Sequence, residues 1–223
     1  MLIDTHSHLF LEEFAEDLPQ VMERARNAGV SSIFMPNIDS TTIDALLSVC
    51  AKYPDLCYPM IGLHPTSVNE TYEQELAIVR ERLSAPNYFV AIGEIGLDYY
   101  YEGNGDPERT IQKKWFERQL FLAKEAALPV IIHSRDAARD TYDIMKSADA
   151  GNIGGVVHCY SYSLEMAKEF LSLGFSFGIG GVLTFKNARK LFDVIEYLPM
   201  DKILLETDCP YLAPVPNRGK RNS

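Results

Sequence analysis

Two histidines near the start of the chain carry the first chemical signal, in the segment IDTHSH that begins at Ile3. With one residue between them in an extended segment, His6 and His8 project from the same strand face. Neutral imidazole is the commonest side-chain ligand for zinc and similar metals. The pair therefore predicts half of a metal site, and two unrelated surface histidines near a terminus are the alternative.

The chain contains five histidines, and each of them follows a short apolar run. None falls in a segment with helical periodicity. Histidines scattered over a surface would occur on helices and loops as readily as at strand ends. Their placement therefore indicates that all five converge on one locus: His6, His8, His64, His133 and His158.

Two carboxylates stand at the ends of apolar strands in the same way, Glu94 after residues 89–93 and Asp208 after residues 203–205. A buried carboxylate is costly unless a cation compensates its charge. Six candidate ligands exceed the three or four of one tetrahedral zinc site, so we expect two divalent ions, zinc, manganese or magnesium. Glu94, with two oxygens, can bridge ions about 3.5–4 Å apart. We assign the first ion to His6, His8, Glu94 and Asp208, and the second to Glu94, His133 and His158.

Further polar residues near these strand ends have expected roles in binding. His64 and Arg135 can hold an anionic group, Arg135 through its bidentate guanidinium, although His64 can also be a hydrogen-bonded wall residue. Asp98 either orients a metal-bound histidine or caps the following loop, and Glu206 is similarly ambiguous. The loop after the last strand concentrates cations that either bind phosphates or form a solvated tail: Arg218, Lys220 and Arg221.

Strand and helix patterns alternate along the chain and predict eight strands and seven intervening helices. After an apolar first strand at 1–3, strands are predicted at 32–35, 57–62, 88–93, 129–133, 155–158, 176–179 and 202–206. Helices are predicted at 18–28, 43–52, 73–83, 109–127, 137–147, 164–173 and 187–197. Repeated βα units imply parallel strands, and eight of them favour a (β/α)₈ barrel of the TIM type in one domain, 1–223, whose last helix is absent. The C-terminal strand ends form one face of such a barrel, where active sites are built.

The composition of the chain argues against several classes of protein. The formal net charge of −10 argues against a protein that coats nucleic acid through a broad basic surface. No apolar stretch approaches the roughly 18 residues of a membrane span, and no signal segment is evident, so a cytoplasmic protein without a membrane partner is expected. The four cysteines form no CxxC pair, which indicates reduced thiols that serve in packing.

Six segments together resemble the TatD-type metal-dependent deoxyribonucleases, a branch of the amidohydrolase-like barrels. In chain order they are IDTHSH, GLHP, GEIGLDYY, PVIIHSR, VVHCYS and LLETDCPYLAPVPNRGKRN. The resemblance implies a divalent-metal phosphodiesterase that removes nucleotides from DNA ends, from the 3′ end, in DNA repair or degradation. It also implies that His6, His8, Glu94, His133, His158 and Asp208 are metal ligands, and that His64 and Arg135 contact phosphate. Family members continue beyond the last segment into a helical region, whereas this chain stops at Ser223.

These patterns predict hydrolysis by a water that two metals activate, with Glu94 and Asp208 as the catalytic carboxylates. DNA strand ends are the expected substrate, and no obligate protein partner is evident. The family resemblance, and not the spacing of the ligands, selects a phosphodiester. The alternatives are an amidohydrolase that opens a small cyclic amide or lactone with the same ligands, and a non-catalytic metal-binding barrel.

Overall fold

A computed structural model describes residues 1–84, 89–100 and 105–223; position 88, predicted to start the fourth strand, lies outside the described residues. The strands are β1 Leu2–Asp4, β2 Val30–Pro36, β3 Cys57–Met60, β4 Ile92–Asp98, β5 Val130–Arg135, β6 Gly155–Val157, β7 Ser176–Ile179 and β8 Ile203–Leu205. The helices are α1 Leu18–Asn27, α2 Ile43–Lys52, α3 Tyr72–Ser84, α4 Asp106–Ala126, α5 Ala138–Ser147, α6 Leu164–Ser172 and α7 Arg189–Tyr197. Strands and helices alternate throughout, as the sequence periodicity predicts.

All strand pairs are parallel and follow chain order, β1-β2-β3 in one sheet and β4 to β8 in the other. Backbone hydrogen bonds join the two sheets on both sides. The Gly93 N–H donates to the Ile61 carbonyl at 2.9 Å between β3 and β4, and the Asp208 N–H donates to the His6 carbonyl at 2.9 Å between β8 and β1. The eight strands therefore form the parallel (β/α)₈ arrangement predicted from the sequence.

Side chains alternate between the two faces of each strand, so the apolar residues form one cluster against the helices and another inside the barrel. Val130 and Ile132 of β5 pack outward in the large cluster that includes Trp115 and Phe116 of α4. Ile131 points the other way and packs with Met60, Ala91 and Val156 from neighbouring strands. Two residues further along their strands, on this same inward face, come His133 and His158. An apolar layer thus lies directly beneath the polar residues of the strand ends.

The predicted bounds of the fourth strand, 88–93, were wrong. In β4 the pairing with β5 continues through Gly96, Leu97 and Asp98, which lie opposite His133, Ser134 and Arg135. Glu94 therefore lies inside the strand and not at its end. The carboxylate looked like a terminator because charged residues are rarely buried in strands without a partner.

Apolar side chains are exposed on β1 and β8: Leu2, Ile3 and Leu205 are 46%, 39% and 55% exposed. Leu204, the inward-facing neighbour of Leu205, packs against the inner apolar layer. Across the described ranges, each helix is too short or too polar to cross a lipid bilayer.

Candidate metal centre and active site

The first group of candidate ligands joins β1 with β4 and the segment after β8. Nε2 of His6 and Nε2 of His8 lie 3.2 Å apart, and both face one oxygen of Glu94, Oε2, at 3.2 and 3.6 Å. Asp208 Oδ1 lies 3.7 Å from the His6 nitrogen and 3.6 Å from the His8 nitrogen. Four donor atoms from distant parts of the sequence thus surround one point.

A second group gathers around the other oxygen of the same carboxylate, Glu94 Oε1. His133 Nδ1 lies 2.8 Å from this oxygen, and His158 Nε2 lies 3.5 Å from it. His64 Nε2 also lies 3.5 Å from Glu94 Oε1 and 3.3 Å from His133 Nδ1. His64 was predicted to contact substrate; the structure places its ring nitrogen at ligand distance within this second group.

These separations fit divalent metal ions. Ligand atoms about 2.0–2.1 Å from a tetrahedral zinc ion are about 3.3 Å from one another. The donor atoms of the first group lie 3.2–3.7 Å apart, and those around Glu94 Oε1 lie 2.8–3.5 Å from it. The donor set of imidazole nitrogens and carboxylate oxygens suits zinc or manganese. Because the two oxygens of Glu94 face different groups, this residue has the geometry of a bridging ligand.

The charge states of two histidines and two carboxylates in the centre favour ligation. Burial lowers the pKa of His6 and of His64, so both rings are neutral and keep a lone pair for a metal. Burial alone would raise the pKa of Glu94, but the surrounding imidazoles, led by His6 and His64, hold it well below its ordinary value. Burial would likewise raise the pKa of Asp208, and nearby histidines, first His158, lower it instead. Both carboxylates are therefore ionised at neutral pH.

Two ligand rings have carboxylate partners on their far sides. Asp98 Oδ2 lies 3.0 Å from His133 Nε2, while its Oδ1 accepts the Tyr100 N–H at 3.0 Å. Asp98 therefore contacts both a candidate ligand and the backbone of the following turn, and this geometry fits either of the two roles that the sequence left open. Glu206 Oε1 lies 3.1 Å from His158 Nδ1. Burial alone lowers the pKa of His158, but Glu206 and the other carboxylates raise it to about 10.

Four polar residues that hold the site's segments together, three of them buried, were missed by the sequence analysis. Asn37 Oδ1 accepts the Gly62 N–H at 2.6 Å. On α4, Gln119 exchanges hydrogen bonds with both backbone groups of Leu63, and Gln112 does the same for Asp98. Seven residues apart, these two glutamines share one helix face, and their polarity on a buried face was the available signal.

Asp4 is the fourth of these residues and joins the segment after β1, which carries His6, to the segment after β8, which carries Asp208. Its carboxylate accepts the His6 N–H at 3.3 Å, the Thr207 N–H at 3.0 Å and the Thr207 hydroxyl at 2.7 Å. Burial raises the pKa of Asp4 to about 6. The signal for this role was the carboxylate itself, within the same segment as the two histidines.

Three of the cationic side chains predicted to contact phosphate have different surroundings. Arg135, exposed at the end of β5, stacks on the Tyr100 ring with 3.5 Å between the guanidinium carbon and the ring centroid. Arg218 lies over the Phe185 ring at 4.3 Å, and Lys220 is exposed. These three cations remain candidates for phosphate contacts.

Arg221 does not fit the predicted phosphate contact. Its two terminal nitrogens donate to the two oxygens of Asp17, at 2.8 and 2.6 Å, in a bidentate pair. The guanidinium also lies over the Phe14 ring. Arg221 therefore anchors the end of the chain to the start of α1.

All four cysteines carry free thiols. Cys50, Cys57 and Cys209 are buried, and burial raises the pKa of the Cys50 and Cys57 thiols to about 12. Thiols with such values stay protonated and pack as small apolar side chains, as predicted.

Comparisons with known proteins relate this chain to metal-dependent hydrolases. The model of the TatD related DNase family matches residues 3–223. A relative from Bacillus subtilis, the uncharacterized metal-dependent hydrolase YabD, is 44% identical over all of this chain and 85% of its own length. The 3′-5′ ssDNA/RNA exonuclease TatD of a Rahnella species is 37% identical over 93% of this chain and 78% of its own.

Among solved structures, the TatD homologue YjjV of Escherichia coli superposes with a TM-score of 0.91 and 36% identity, over 99% of this chain and 84% of its own. Family model, relatives and solved structure thus agree over nearly the whole chain, including every segment that supplies a candidate ligand. The chain belongs to the TatD-related DNase family, and it is a metal-dependent hydrolase.

Proposed function

We propose that this hydrolase removes nucleotides from the 3′ ends of DNA strands, with water as the nucleophile at a centre of two divalent ions. The observation that carries the proposal is the division of Glu94, whose Oε2 faces His6 and His8 while its Oε1 faces His133 and His158. Two ions sharing one carboxylate are the arrangement that in-line displacement at phosphorus uses.

The proposed ligands follow from the two groups of donor atoms. His6, His8, Glu94 and Asp208 would hold the first ion, and Glu94, His133 and His158 the second. When bound, such ions lower the pKa of a coordinated water toward about 7 and neutralise charge on a phosphate. Asp208, ionised and 14% exposed on its side chain, is the carboxylate proposed to accept the proton of the attacking water.

The proposed substrate rests on the relatives and on the cations near the centre. The Rahnella relative is named for 3′-5′ cleavage of single-stranded DNA and RNA. Arg135 lies on β5 two residues beyond His133, and its guanidinium edge remains available for a phosphate while its face stacks on Tyr100. We assign phosphate binding to His64 and Arg135, and contacts with the more distant strand to Arg218 and Lys220.

The test is digestion of end-labelled single- and double-stranded DNA by metal-depleted protein, with zinc, manganese or magnesium added back. We expect mononucleotides released from the 3′ end only in the presence of a divalent metal, and loss of release when a chelator is in excess. Full digestion in excess chelator would contradict the two-ion centre. Metal-dependent hydrolysis of a lactone or cyclic amide, without cleavage of DNA, would favour the amidohydrolase alternative.

A further inference from the structure

Glu206 is a buried carboxylate that lies beneath the two groups of candidate ligands. It follows β8 directly, and its side chain is 1% exposed. Its Oε1 accepts the Cys159 N–H at 2.7 Å and lies 3.1 Å from His158 Nδ1. One oxygen is therefore committed to the segment that carries a ligand of the second group.

The space that holds Glu206 depends on a glycine in β7. A Cβ atom built on Gly178 would lie 2.0 Å from Glu206 Oε2 and 2.6 Å from its Cδ, far closer than atoms can approach. Any other residue at 178 would displace the carboxylate. The barrel interior is thus shaped to accept this side chain, which would be costly to bury without polar partners.

The remaining oxygen of Glu206, Oε2, is one of several unsatisfied buried atoms in this region. Among the described residues, Glu206 Oε2, His6 Nδ1 and His158 Nδ1 are all buried and have no hydrogen bond of good geometry, although His158 Nδ1 lies only 3.1 Å from Glu206 Oε1. His6 directs Nε2 at Glu94, so Nδ1 is its remaining nitrogen. The rings of His6 and His158 stack with centroids 3.5 Å apart, and a ring nitrogen of each lies within 4.8 Å of a Glu206 oxygen. A single water with two to four polar partners can satisfy such a pair of atoms as Glu206 Oε2 and His6 Nδ1.

We propose that Glu206 is a positioning residue for both groups of ligands, orienting the ring of His158 directly and the ring of His6 through a bridging water. Acceptance of a hydrogen bond from Nδ1–H, by the carboxylate for His158 and by the water for His6, favours the form of each ring that can offer the Nε2 lone pair to the metal. One carboxylate then supports one ligand of each proposed ion, so the two ions bind interdependently. This inference rests on the proposed metal centre.

The first measurement uses metal-free protein and does not depend on activity. Nitrogen-15 NMR of the imidazoles should show that Nδ1 is protonated in both His6 and His158 of the wild type. In Glu206→Ala both rings should lose this preference, whereas Glu206→Gln, which keeps an acceptor oxygen, should retain it in part. Glu196→Gln, which neutralises an exposed glutamate on α7, is the matched control and should change neither ring.

The second measurement is metal affinity, obtained by competition with a chelator. Loss of an outer partner of a metal-bound histidine costs about 10–100-fold in affinity. We expect Glu206→Ala to show this loss for both ions, and Gly178→Ala, which displaces the carboxylate without removing it, to show a loss in the same range. Circular dichroism will confirm that each variant is folded, and Glu206→Gln provides an isosteric variant if Glu206→Ala is not.

Two results would overturn the inference. A change confined to His158 and to one ion would show that Glu206 serves the second group alone. Unchanged tautomers and affinities in Glu206→Ala would remove any positioning role. If the wild type bound no divalent metal, the proposed metal centre would fail, while the tautomer measurement would still report whether Glu206 orients both rings.

Discussion

At the scale of the single residue, Glu94 places a charged side chain where burial makes charge unfavourable. It is a carboxylate in the middle of a strand whose residues are all buried. Its charge is tolerated because imidazoles approach both oxygens, and one of these imidazoles, His133, is held on its far side by Asp98. A charge buried in this way is expensive unless its partners are present together. The residue thus makes the two groups of ligands depend on each other.

A comparison of Glu94→Ala with His64→Ala tests that dependence. Glu94 approaches donor atoms of both groups, whereas the contacts of His64 with the candidate ligands lie around Glu94 Oε1. Glu94→Ala should therefore lower the content of both metals and reduce turnover by more than His64→Ala does. The measurements are metal content by mass spectrometry and kcat on an oligonucleotide. Near-normal metal content and rate in Glu94→Ala would mean that the carboxylate only supports other ligands.

At the scale of the element, α4 holds two strand ends in place. Gln119 is buried and satisfies both backbone groups of Leu63, the residue before His64, while Gln112 does the same for Asp98, the partner of His133. Apolar residues of the same helix, Trp115 and Phe116, pack against the strands. The helix therefore contributes to stability through its apolar residues and to the site through its amides.

Replacement of Gln119 by alanine should weaken both contributions. The N–H and carbonyl of Leu63 would be left buried without partners, which costs about 1–3 kcal/mol in the free energy of unfolding. Denaturant unfolding measures this loss, and kcat should fall because His64 follows directly. Glu117→Ala, an exposed position on the same helix, is the control and should change neither quantity. Equal effects of the two substitutions would show that the amide of Gln119 has no special role.

At the scale of the whole molecule, an acidic protein has to bind a polyanion. The formal net charge is −10, so general attraction for DNA is not available and binding has to rely on local contacts. Arg218 and Lys220 are exposed in the segment after β8, which also carries Asp208. They are therefore the cations whose removal should change affinity without changing the metal centre.

The double variant Arg218→Gln/Lys220→Gln should raise KM for a long oligonucleotide and leave hydrolysis of a small phosphodiester dye nearly unchanged. Removal of one cation that binds a phosphate should flatten the dependence of log KM on log salt by about 0.7–0.9. Lys52→Gln/Lys146→Gln is the matched control, because both lysines lie in the last turns of helices, at the opposite end of the barrel. Equal losses on the two substrates would mean that the segment supports the fold.

The exposed apolar side chains of β1 and β8 lead to a prediction about association. Ile3 and Leu205 are exposed on adjacent strands, and contiguous apolar surface favours self-association. We expect Ile3→Thr/Leu205→Gln to reduce concentration-dependent association in sedimentation velocity. Phe192→Gln, at an exposed position on α7, is the comparison and should have a smaller effect. A wild type that stays monomeric across the concentration range would contradict the prediction.

Local periodicity was sufficient for most of the fold. Alternation of apolar runs with amphipathic segments predicted α2 and β7 with the bounds that the structure has, and the other elements to within a few residues. The exception is β4, because Gly96 and Asp98 belong to the strand only through their pairing with β5. Short-range pattern reports which residues can form a strand, whereas hydrogen bonding to a neighbour decides where it ends.

The sequence by itself determined the set of residues that meet, because parallel βα units bring all C-terminal strand ends to one face. Six candidate ligands lie at or near such ends: His6, His8, Glu94, His133, His158 and Asp208. Tertiary structure alone decided the partners of each. It placed His64 Nε2 beside His133, paired Arg221 with Asp17, and set Glu206 against His158. The physical reason is that topology acts on the backbone over tens of residues, whereas side-chain contacts within about 4 Å depend on packing between segments far apart in the chain.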